Sequence, residues 1–127
     1  MTPRVLLIVA GVSGAVAVAL GAFGAHALAE AVPPERLETW RTASVYHLVH
    51  TLALGLAGVM GRLGWRTGAA RGLFLVGIVL FCGSLYALVL LDQPLLGAVA
   101  PVGGVAFIAG WAALAVASWR ERPDDAP

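Results

Sequence analysis

The chain has 127 residues, 60% of them hydrophobic and 12% charged, with a mean hydropathy of +0.89. Soluble domains carry about 25% charged residues, so the composition excludes an ordinary water-soluble fold and points to one membrane-embedded domain. A formal net charge of +1, with its arginines dispersed and no lysine, leaves no basic patch for nucleic acid.

The first apolar run, Val5 to Ala25, follows Arg4 and has the outline of a signal peptide, with Ala25-His26-Ala27 resembling a small-residue cleavage pattern. A secretory apolar core is about 7–15 residues long. This run is longer, and as a helix it rises about 30 Å, the thickness of the hydrocarbon core. It is therefore expected to be a retained span over 5–25. Ala10/Gly14 and Ala17/Gly21 are four apart and share a face, which suits close helix approach inside a bundle or between subunits. Packing within the bundle is the expected use.

Pro33-Pro34 is a helix start signal, with Pro34 at the first helical position and Glu35 and Glu38 in the opening turns. No breaker occurs before Gly55, so the second helix is predicted to project from the membrane over 34–41 and to cross it over 42–61. On a 100° wheel, Arg36, Thr39, Trp40, Tyr46, His47, His50 and Thr51 fall on one side, with Leu48, Val49 and Leu52 opposite. The third span, 72–91, contains Gly77, Gly83, Ser84 and Tyr86 and ends at Asp92-Gln93-Pro94. Pro101 is the expected start of a fourth span over 101–119, again rich in glycine, and 120–127 reads as a polar tail.

Arginine placement orients the bundle. The N-terminus, the middle loop and the C-terminus share one side and carry Arg4, Arg62, Arg66, Arg71, Arg120 and Arg122, against Arg36 and Arg41 on the other. The positive-inside rule then predicts both termini in the cytoplasm. Trp65 and Trp119 fall at the cytoplasmic boundary and Trp40 at the outer one, the expected places for interfacial anchors.

His47 and His50, three apart, project within about 60° of one another at a depth where ionisable groups usually face the bundle interior. His26 closes the first helix on the same side. With Tyr46, Ser84 and Tyr86 they form the candidate polar cluster. Two readings are open. Neutral histidines can lock helices together through hydrogen bonds, or the cluster can handle protons or a small solute, or hold haem or a metal. Cys82 is the single cysteine and sits mid-span, as a small buried hydrophobe does.

The chain has no phosphate-binding glycine loop, no Cys-x-x-Cys and no His-Glu-x-x-His. Ser13, Ser44 and Ser84 lack the flanks of a nucleophile elbow. No carboxylate lies inside a span, which argues against an acidic-relay pump. No catalytic residue, cofactor or metal site is assigned, and the expected class is non-enzymatic.

Five strings stand in order: Leu20–Leu28 (LGAFGAHAL), Glu38–Ala43 (ETWRTA), Tyr46–His50 (YHLVH), Phe81–Tyr86 (FCGSLY) and Pro101–Trp111 (PVGGVAFIAGW). Together they resemble the YgdD-like family of small inner-membrane proteins, also called domain of unknown function 423, whose animal relative is transmembrane protein 256. The resemblance implies a four-span protein of the bacterial inner membrane and no mechanism. The family more often has Ser where Cys82 stands, which weakens a cysteine role. The candidate residues His26, Tyr46, His47, His50, Ser84 and Tyr86 all lie inside the matching strings.

The expectation is thus an all-α, polytopic four-helix membrane bundle in contact with the lipid bilayer. Its expected role is non-enzymatic, self-associating as a homo-oligomer or accessory to a larger membrane complex.

Overall fold

A computed structural model describes residues 1–120, and within them the chain forms helices and turns with no strand. The tail beyond Arg120 lies outside the described residues. Helix α1 (Pro3–Phe23) starts at Thr2, whose hydroxyl accepts from the Val5 amide at 3.3 Å, with Pro3 in the first turn. It runs on through a π turn, Gly24–Leu28. Helix α2 (Pro34–Arg62) begins at Pro34 with Glu35 in its first turn, as its sequence dictates. A turn with Gly64 at φ 94° leads to α3 (Gly68–Gly77), a second π turn (Ile78–Cys82) and α4 (Gly83–Leu91), which together form one rod. Asp92, at φ 49°, ends the rod, and a 3-10 turn over Pro94–Ala98 leads into α5 (Ala100–Arg120).

Among the described residues, four helical stretches are long and apolar enough to cross a membrane: Pro3–Leu28, Pro34–Arg62, Gly68–Leu91 and Pro94–Arg120, of 26, 29, 24 and 27 residues. Lengths of about 36 to 44 Å exceed the hydrocarbon core, so helix ends reach the headgroup zone.

Helix α2 is the centre. α1 packs on α2, α5 packs on the α3–α4 rod, and α2 against that rod joins the two hairpins. The core runs through Leu6, Trp40, Ala43, Leu54, Ala57 and Phe74, all at 1% exposure or less. Hydrocarbon gives helices no hydrophobic reason to associate, so close contact must do the work. Ala10 and Ala17 on α1 are buried, and Gly14 faces Thr51 of α2, so this small-residue face packs within the bundle. On α5, a side chain at Gly103 would overlap the backbone of Phe81, and one at Gly110 would lie 2.8 Å from the Phe74 ring.

Trp40 departs from the expected interfacial anchor. It is 1% exposed, its indole N–H donates to the Leu20 carbonyl at 2.8 Å, and only a glycine at position 24 leaves room for its ring. Trp119 is 76% exposed at the end of α5. At the Trp40 end of the bundle, Arg36 pairs with Asp92 at 2.9 Å, tying the start of α2 to the end of α4.

Candidate functional site

Four polar side chains in the middle of α2 do different things because of where the helix turns them. His47 and Thr51, four apart, face α1. Ser13 of α1 lies between them, its Oγ 3.0 Å from His47 Nε2 and 2.7 Å from Thr51 Oγ1. The other ring nitrogen, His47 Nδ1, is 3.1 Å from the Tyr86 hydroxyl of α4. Hydroxyls both donate and accept, so a neutral imidazole is satisfied in either tautomer. The row Thr51–Ser13–His47–Tyr86 stitches three helices together. Trp40 packs over Tyr86 with ring centroids 4.6 Å apart and covers that end.

His50 turns toward α5. Its Nδ1 lies 2.8 Å from the Tyr46 carbonyl, which only accepts, while the Trp111 indole N–H donates to Nε2 at 3.2 Å. These partners fix a neutral ring with its proton on Nδ1 and no free lone pair. The ring stacks on Phe107 at a centroid distance of 3.5 Å and 13° between planes.

The expected cluster therefore divides. His47 and Tyr86 meet, and His50 binds a different helix, so the two histidines do not converge on one ligand. Tyr46 is 43% exposed at the bundle edge, stacked on His50 and against Phe81. Ser84 is buried, but its hydroxyl donates to the Phe81 carbonyl of its own rod at 3.0 Å. His26 lies apart. Gly24 and Leu28, four apart, take the inward face of the first π turn, and His26 midway between them is exposed. Cys82 is buried at 1% exposure. Among the described residues, no three His, Cys, Asp or Glu side chains come together as a metal site would require.

Two partners escaped the sequence reading. Ser13 carried a signal, being the only polar side chain between Val5 and Ala25. Trp111 lies mid-span, away from the interfaces where tryptophan is usually found, and that displacement was the mark of an internal role.

A family model described as "Protein of unknown function (DUF423)" matches residues 20–104, from Leu20, which accepts from Trp40, to the glycines that seat α5. The chain belongs to this family. It is 46% identical over 122 residues to the UPF0382 inner membrane protein YgdD of Escherichia coli K12, covering 94% of this chain and 93% of that protein. It is 42% identical over 119 residues to the UPF0382 membrane protein YwdK of Bacillus subtilis, covering 91% and 96%. A UPF0382 membrane protein of Staphylococcus epidermidis is 38% identical over 118 residues, covering 92% and 97%. No solved structure matches the chain. With four helices among the described residues long and apolar enough to cross a membrane, and these relatives, this is a membrane protein.

Proposed function

We propose that this protein is a non-enzymatic component of a bacterial inner membrane, with both termini cytoplasmic, which acts by association with copies of itself or as an accessory subunit. The observation that carries this reading is the saturation of both histidines. His47 is engaged by Ser13 and Tyr86, and His50 by Tyr46 and Trp111, so neither ring offers a free nitrogen for acid–base chemistry or ligation. They act as interhelical clasps. Each such bond in a membrane bundle contributes about 1 kcal/mol.

The unbroken row from Thr51 to Tyr86 favours one rival reading, proton transfer along hydroxyls, and Trp40 over its Tyr86 end speaks against it. The test is native mass spectrometry in mild detergent of the protein and of a His47→Gln/His50→Gln variant, with a pH-gradient decay assay in proteoliposomes. The expected result is an oligomer, or a co-purified protein subunit, in both forms, with a lower melting temperature in the variant. A haem, metal or small molecule lost in the variant, or a proton flux that it abolishes, overturns the proposal, as does a bare monomer.

A further inference from the structure

We propose that the cavity between the start of α1 and the start of α3 binds the phosphate of an anionic phospholipid, with Arg71 as its principal ligand. Arg71 stands in the first turn of α3, and its guanidinium lies over the last turn of α2, where a side-chain carbon at Gly61 would sit 3.4 Å from Nη1. Nη1 is sealed from solvent and meets no hydrogen-bond acceptor among the described residues. The guanidinium as a whole is only partly buried, but an N–H shut off from water without an acceptor is costly, and an anion pairing with the exposed side of the same group offsets part of that cost. None of the described carboxylates is near: Glu30, Glu35, Glu38 and Asp92 all belong to the opposite end of the bundle.

The space beside Arg71 measures about 250 Å³ and is lined by Met1, Leu6, Gly68, Arg71, Gly72 and Leu75. Two features independent of Arg71 suit it to an anion. The first turn of α3 has no side-chain cap, because Thr67, in the N-cap position, donates its hydroxyl to the Ala57 carbonyl at 2.8 Å instead. The amides and dipole of α3 are thus left for a ligand. Gly68 and Gly72, four apart, keep its wall bare, and a side-chain carbon at Gly72 would meet nothing within 4 Å.

The occupant is a phospholipid rather than free phosphate because Met1, Leu6 and Leu75 make the remaining wall apolar, as a glycerol backbone and the first acyl carbons require. Guanidinium and phosphate pair through parallel charge-assisted hydrogen bonds, and a lipid that also carries an ammonium group brings an unwanted cation to the same place.

The test uses the full chain, delipidated in detergent and offered equal amounts of dioleoylphosphatidylglycerol and dioleoylphosphatidylcholine. Retained lipid is read by native mass spectrometry, with inorganic phosphate as a competitor. The expected result is about tenfold preferential retention of phosphatidylglycerol, a difference of one decade in affinity. Arg71→Gln removes the preference, and Arg66→Gln, which removes an exposed charge nearby, leaves it intact. Gly72→Leu fills the space without altering charge and also removes the preference, so the test survives if Arg71→Gln fails to fold. Equal retention of both lipids overturns the proposal, and so does a loss shared equally by Arg66→Gln. Displacement by millimolar phosphate identifies a free-anion site instead. A preference that appears only after truncation at Arg120 assigns the cavity to the acidic tail.

Discussion

Gly103 shows how much one hydrogen atom can decide in a bundle without a hydrophobic drive. Its missing side chain lets α5 lie directly on the backbone of Phe81, whose Cα would be 2.8 Å from an added carbon. Backbone cannot swing aside as a long side chain can, so Gly103→Ala must push α5 outward. We expect a loss of about 1–3 kcal/mol in reversible detergent unfolding. Gly104→Ala, whose added carbon would sit 3.8 Å from the Phe81 ring in ordinary contact, should cost little; equal losses would refute the close-approach account. The same scale separates what was legible in the site from what was not. His47 and His50 stood out because polar groups at that depth need partners, and both have them. One helix wheel cannot reveal a partner on another helix, which is why Ser13 and Trp111 went unread. Proximity in sequence to the outer loop made His26 look like a member of the cluster, and the two-residue offset from Gly24 and Leu28 turned it outward.

Among the elements, the third span carries a feature with no sequence signature. The π turn Ile78–Cys82 closes rings of one residue more than an α-helix does, so it absorbs a single extra residue while the flanking helices keep their facing. Phe74 on one side of it and Tyr86 on the other are both buried for that reason. Deleting exposed Val79 should therefore convert the turn to α-helix and leave the His47–Tyr86 contact in place, with a melting temperature near that of the parent protein. Deleting Ala87, beyond the π turn, should rotate the end of the rod by about 100°. That carries the buried Leu88 and Val89 out of the core and destabilises the bundle. The reverse ranking of the two deletions in a thermal melt would contradict the geometry. Helix existence and the early start of α2 were legible because Pro33-Pro34 and long uncharged runs are strong physical signals. The 3-10 turn at Pro94–Ala98 was not, since five residues set no periodicity.

At the scale of the whole molecule, most of the described arginines gather at one end and the described carboxylates at the other, and this sets the expected orientation. In a Cys82→Ser background, Glu30→Cys should react with a membrane-impermeant thiol reagent in intact spheroplasts, and Arg66→Cys only after permeabilisation. The opposite pattern would invert the topology. Hydrogen bonds are as unevenly distributed as charge. α1 is joined to α2 by polar contacts at Ser13 and Leu20, whereas its N-terminal half shows no side-chain hydrogen bond to α2 among the described residues and packs Leu6, Leu7 and Ala10 near Gly55 and Gly58. Lipid tails fill such an interface almost as well as leucine does. The first helix is thus hydrogen-bonded to the bundle from Ser13 onward and held before it by apolar packing around buried Leu6 and Ala10, so a change in leaflet thickness should loosen that N-terminal half first.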